Sequence, residues 1–99
     1  MWYIALIGIS VSGAAVEELV YRGYVQRSLL PVLPPSVAIF ITATGFSVAH
    51  APDLSTIFVA AIGGIWFGTI AWYANSVWPA IWCHAVFNVH ALTFHFYAG

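Results

Sequence analysis

Long apolar stretches separated by short breaks are the feature that most limits how this chain can fold. Hydrophobic residues make up 63% of the 99 residues, and charged residues make up only 5%. Soluble domains carry about a quarter charged residues, so a surface built from this sequence would not stay in water. The sequence therefore predicts an integral membrane protein with one domain, residues 1–99.

Prolines and an asparagine divide the apolar sequence into four predicted helices. We expect Ser36 to cap the second helix, and Asp53 or Ser55 to cap the third. The predicted fold is therefore all-α, a polytopic membrane bundle of about four helices. The expected ranges are 2–30, 36–50, 55–74 and 79–96.

The same composition excludes several classes of protein. Two basic residues cannot form a surface that binds nucleic acid, so the expected partner is the lipid bilayer. The single Cys83 rules out an internal disulfide. Small residues on the first helix (Gly8, Ser12, Ala15) and on the third (Gly63, Gly64, Gly68) predict close helix packing. The third helix lacks acidic, basic and histidine residues, so we expect no chemistry from it.

Charged side chains interrupt the first apolar helix at Glu17, Glu18 and Arg22. Charges in such a segment cost several kcal/mol and usually have a role. Glu18 and Arg22 are four residues apart, so their side chains meet on one helical face. Glu17 lies about 100° away and is poorly placed to share Arg22. This spacing predicts a supporting Glu18–Arg22 ion pair and leaves Glu17 free as a general base. The alternative is an ion pair that only fixes helix register.

The remaining polar candidates are His50, His84 and Asn88. His84 and Asn88 share one face of the fourth helix, whereas His90 lies about 240° from His84. We expect Glu17, His50, His84 and Asn88 to face one cavity. A glutamate can take a proton from water, a neutral histidine can orient that water or bind a metal, and histidine or asparagine can donate to an oxyanion. This set is suited to amide hydrolysis.

Three motifs resemble those of the CAAX-processing and bacteriocin-immunity intramembrane proteases, the CPBP or Abi family. Together they cover nearly the whole chain, each in its own predicted helix. The resemblance implies the conserved four-helix core of a larger protein, related to the eukaryotic Ras-converting prenyl protease. Family members usually carry further helices before the first motif, so we expect the chain to be a fragment, a minimal core or the product of a wrongly assigned start. The motifs are Glu17-Glu18-x-x-x-Arg22, Phe46-x-x-x-His50 and His84-x-x-x-Asn88.

The resemblance also implies an activity, a CAAX-type endopeptidase acting on a hydrophobic or prenylated peptide in a prokaryotic plasma membrane. Glu17 would activate the water, His50 would assist it or bind a metal, and His84 with Asn88 would form the oxyanion site. Glu18 would brace the first helix together with its arginine. Two mechanisms stay open: a divalent metal such as zinc held by Glu17, His50 and His84, or a glutamate-activated water without metal.

Two other functions are compatible with these residues. A non-catalytic immunity or partner-binding protein would keep the same polar set for stability. A proton or ion path would spread polar residues along its length, whereas here they cluster. Loss of function in a folded Glu17→Gln variant would separate the enzyme from the binding protein.

Overall fold

The computed structural model describes the backbone of residues 2–98 and the side chains of residues 2–91 and 93. No strand occurs within these residues, so the all-α fold class is confirmed. The helix ends lie within two residues of the predicted ends, and α1 and α3 are each long and apolar enough to cross a membrane. The helices are α1 (Trp2–Leu29), α2 (Pro35–Val48), α3 (Leu54–Ala74) and α4 (Trp78–Ala98).

Proline and asparagine delimit the helices, but the expected side-chain caps do not form. α2 begins at Pro35, so Ser36 lies inside the first turn and its prediction as the cap is wrong. Asp53, rather than Ser55, occupies the N-cap position of α3, without a side-chain bond to the backbone. α3 ends at Ala74, and the C-cap residue Asn75 has a left-handed backbone (φ 50°, ψ 39°), a conformation that asparagine tolerates.

The bundle has an apolar exterior and a partly polar interior. Large apolar side chains such as Ile9, Tyr24 and Ile62 are exposed. Hydroxyl groups inside the helices bond to their own backbone, as Thr42 Oγ1 does to the Ala38 carbonyl at 2.8 Å. This distribution is the reverse of that in soluble proteins and suits a lipid environment. The buried polar side chains are Ser10, Glu18, Arg22, Gln26, Thr42, Ser47 and His84.

One stripe of α1 faces the other helices, and it differs from the predicted stripe. Gly8 and Ser12 are exposed and Ala15 is half-buried, so the expected packing face is wrong. The buried residues recur at every fourth position instead, and Glu18, Arg22 and Gln26 among them hydrogen-bond across the bundle. They are Ser10, Ala14, Glu18, Arg22 and Gln26.

A π-helical turn over Tyr21–Gln26 keeps this stripe on one side of α1. In a regular α-helix, side chains four residues apart point in directions that differ by about 40° around the axis. Over the four steps of this stripe the direction would therefore change by about 160°. A π-helical turn holds more residues and rotates less per residue. It therefore offsets this change in direction and brings Gln26 back towards the face that carries Glu18 and Arg22.

The most extensive helix contacts join α2 to α3 and α1 to α4. Gly64 and Gly68 of α3 are buried, as the small-residue pattern predicts. A Cβ atom on Gly64 would lie 3.0 Å from Ala43 Cβ and 3.1 Å from Ala43 Cα. Glycine at this position thus permits the close approach of α2.

Gly64→Ala should therefore destabilise the bundle by about 1–3 kcal/mol, because the added methyl group meets backbone as well as side chain. Gly13→Ala is the matched control, since nothing lies within 4 Å of its added Cβ. Removing a helical glycine there should be neutral or should stabilise by about 0.5–1 kcal/mol. Thermal unfolding in detergent measures both variants, and equal melting temperatures would contradict this packing.

Candidate active site

The buried carboxylate of Glu18 is the centre of the polar interior. Its Oε2 atom accepts a hydrogen bond from Arg22 Nη1 at 2.9 Å and from His84 Nδ1 at 2.7 Å. The Glu18 and Arg22 side chains are fully buried. The predicted contact between Glu18 and Arg22 is confirmed, and the structure adds His84 from α4 as a second partner. Because an ionised carboxylate only accepts, we assign a proton to His84 Nδ1.

Glu17 lies on the other side of the same imidazole ring. Its Oε2 atom is 3.6 Å from His84 Nε2, just beyond direct hydrogen-bond range. The Glu17 side chain is 39% exposed, whereas Glu18 is inaccessible. The Glu17 Oε2 atom is nevertheless buried and has no hydrogen-bond partner among the described residues, so the exposed part of the side chain lies away from that atom. The two adjacent glutamates therefore have different environments, and only Glu17 can be reached from outside.

His50 lies two residues beyond the end of α2 and is held by the backbone of that helix. Its Nδ1 atom lies 2.8 Å from the Phe46 carbonyl oxygen, which can only accept, so Nδ1 carries a proton. In the neutral ring, Nε2 is then a free acceptor. The Phe46 ring contacts the imidazoles of both His50 and His84, with centroids 4.9 Å and 5.8 Å away.

Asn88 lies one turn beyond His84 on α4 and is half-buried. One of its amide hydrogens reaches the Ser10 carbonyl oxygen across a long 3.4 Å contact. An asparagine amide has two donor hydrogens, so the second is free for another partner.

A cavity of about 90 Å³ is lined by His50, His84 and Asn88, with Phe46 and Phe67 among its apolar walls. The structure thus brings three of the four predicted site residues to one cavity. The fourth, Glu17, is adjacent to it through His84 rather than part of the wall.

His90 is exposed, as its position on the helix predicts. It faces an outer groove of about 790 Å³, whose lining comes from α3 and α4. The two histidines of α4 whose side chains the structure describes therefore lie on different surfaces, with His84 inside and His90 outside.

A three-ligand metal centre does not form from the expected residues Glu17, His50 and His84. Where side chains are described, no three His, Cys, Asp or Glu residues come together in a way that could hold a metal ion. Both nitrogens of His84 face carboxylates, and His50 is bonded to the backbone of α2. These residues do not fit such a centre, so the chemistry below is derived from the side chains alone.

Gln26 and the backbone of α3 were missed by the sequence reasoning. Arg22 Nη2 donates to the Gly64 carbonyl at 2.8 Å, and Gln26 Nε2 donates to the Gly68 carbonyl at 3.0 Å. For Gln26 a signal existed, because it lies four residues beyond Arg22 in an apolar segment. No local signal marks a helical carbonyl group as a hydrogen-bond acceptor. The expectation that α3 only packs is therefore incomplete.

Comparison with protein families identifies the class to which this site belongs. The family described as "Type II CAAX prenyl endopeptidase Rce1-like" matches residues 1–90, which include all three motifs. The chain therefore belongs to the Rce1-like family, a membrane-embedded family of CAAX-type endopeptidases. Comparisons with curated proteins and with solved structures found no match.

Arg22→Ala should destabilise the protein far more than Arg27→Ala. Removing one partner of a buried charge pair costs about 3–5 kcal/mol, because the remaining charge stays buried without compensation. Arg27 is exposed on the same helix, so its charge is already solvated or reaches a polar layer. Melting temperature and membrane expression level measure the difference. Equal tolerance of the two substitutions would count against the role given to Arg22.

Proposed function

We propose that this chain is a multi-pass membrane endopeptidase that hydrolyses a peptide bond of a hydrophobic or prenylated peptide. The family match supports peptide-bond hydrolysis. The observation that carries the proposal is the placement of His84 between two unlike carboxylates, with Glu18 on Nδ1 and Glu17 on the Nε2 side. A buried carboxylate orients the ring, and a reachable carboxylate is left for a water molecule.

Glu17 acts as the general base in this proposal. A water molecule bound at the exposed side of the Glu17 carboxylate, next to His84 Nε2, is the nucleophile. Glu17 takes a proton from this water while the oxygen attacks the carbonyl carbon of the scissile bond. The protonated Glu17 then returns the proton to the leaving nitrogen as the C–N bond breaks.

Donors for the developing oxyanion come from α4. His84, held through its Nδ1–H by Glu18, donates from Nε2–H when the ring is protonated, and the free amide hydrogen of Asn88 lies on the same cavity wall. Beside these donors, Arg22 compensates the charge of the Glu18 carboxylate.

An apolar substrate is supported by the surface next to the cavity. The cavity and the outer groove share wall residues, so the polar site and the apolar groove lie directly next to each other. A hydrophobic or prenyl chain can lie in the groove while its peptide bond reaches His84. The shared residues are Val59, Gly63, Phe67 and Phe87.

Glu17→Gln should lower turnover by about 10²–10⁴-fold, because glutamine keeps the size of glutamate but cannot take a proton from water. Folding should persist, since no described residue hydrogen-bonds to Glu17 Oε2. Cleavage of a fluorescent prenylated peptide in proteoliposomes measures turnover. Retention of more than about a tenth of wild-type turnover, well outside that range, would exclude Glu17 as the base.

Peptide binding provides the control that separates an enzyme from a binding protein. The Glu17→Gln variant should bind the same peptide about as tightly as the wild type, because the substitution removes the base and not the apolar groove. Fluorescence anisotropy measures this affinity. Wild-type protein that binds the peptide without ever cleaving it would support a non-catalytic role instead.

A further inference from the structure

We infer that Gln26 is a positioning residue for the Glu17–His84 site, and that it acts by fixing the register of α1 against α3. The inference rests on the function proposed above. Gln26 touches neither the cavity nor its lining histidines. Its effect passes through Arg22 and Glu18, which lie one and two turns before it on the same buried stripe.

Two hydrogen bonds of the same kind join α1 to α3. Arg22 reaches the Gly64 carbonyl and Gln26 reaches the Gly68 carbonyl, at 2.8 Å and 3.0 Å. The donors are four residues apart on α1, and the acceptors are four residues apart on α3. One such bond would allow α1 to pivot about its end. Two parallel bonds, one turn apart, fix both the rotation and the axial position of α1.

α3 also positions the imidazole ring of His84, to which Glu18 of α1 is hydrogen-bonded. The imidazole of His84 stacks on Phe67, with ring centroids 4.8 Å apart and planes 17° from parallel. Phe67 lies between Gly64 and Gly68 in the sequence of α3. The same helix therefore positions His84 by stacking and positions Glu18 through Arg22. The bond from Gln26 keeps these two contacts in register.

The burial of Gln26 is not explained by stability alone. Its side chain is almost fully buried, and its Oε1 atom has no hydrogen-bond partner among the described residues. Burying an amide oxygen without a partner is unfavourable, and an apolar residue of the same length would avoid this cost. The Gly68 carbonyl lies inside α3 and keeps its helical hydrogen bond, so the bond from Gln26 uses its second lone pair.

The first test replaces Gln26 by methionine, which has a similar length and adapts to irregular space. Gln26→Met should keep or raise the melting temperature, because it removes an unpartnered amide oxygen. It should lower kcat about 10–100-fold, the scale that a misplacement of about 1 Å can cost. KM for a fluorescent prenylated peptide should change less than about twofold, since the groove is unaltered.

A second variant disturbs the same bond from α3. A Cβ atom on Gly68 would lie 2.6 Å from Gln26 Oε1, so Gly68→Ala must displace the amide. Its kcat should fall as in Gln26→Met. Gly45→Ala is the matched control, because nothing lies within 4 Å of its added Cβ, and its kcat should equal that of the wild type. If Gln26→Met or Gly68→Ala fails to fold, the other variant alone tests the inference.

The final readout does not depend on activity. The proton that His84 Nδ1 shares with Glu18 should give a downfield imidazole resonance in the ¹H–¹⁵N spectrum of the wild type. This resonance should shift or vanish in Gln26→Met, and it should be unchanged in Gly45→Ala. An unchanged resonance with unchanged kcat in Gln26→Met would overturn the inference, as would a kcat loss that only follows lost stability. If the resonance responds to Gln26→Met but the wild type cleaves no peptide, the proposed function is overturned instead.

Discussion

The sharing of one carboxylate oxygen by Arg22 and His84 is the interaction on which the rest of this structure depends. Glu18 Oε2 receives both donors, and the three side chains are removed from the surrounding medium. A charge in such a place is tolerated only when it is paired and hydrogen-bonded. The arginine comes from the same helix and the histidine from another, so the bond pattern forms only when α1 and α4 are correctly aligned.

The alignment itself comes from α3, although that helix contributes no titratable side chain to the site. In a membrane the hydrophobic effect does not draw apolar helices together, so small residues and interhelical hydrogen bonds decide how they pack. Gly64 and Gly68 combine both properties, because the absence of a side chain exposes their carbonyl groups to Arg22 and Gln26. The helix that has no acidic, basic or histidine residue thus sets the geometry of the helices that carry the charged side chains.

What the sequence could predict was local, and what it could not predict was the rotation of one helix against another. The helices and the Glu18–Arg22 pair follow from proline breaks and from four-residue spacing within one helix. The contact between Glu18 and His84 spans 66 residues, and no short-range rule connects them. The buried stripe of α1 was misassigned because residue size was taken to mark the packing face, whereas Ser10 and Ala14, in line with Glu18, are the buried positions before the π-helical turn.

The most direct test of this account is the distance between the Glu18 carboxyl carbon and His84 Nδ1 in lipid bilayers. The chain has two glutamates, so in a Glu17→Gln background a ¹³C label on the glutamate carboxyl group reports Glu18 alone. Dipolar recoupling to ¹⁵N-labelled histidine should show direct hydrogen-bonding contact, and His84→Asn should abolish it. Absence of this coupling in the folded protein would contradict the assembly of the site around Glu18.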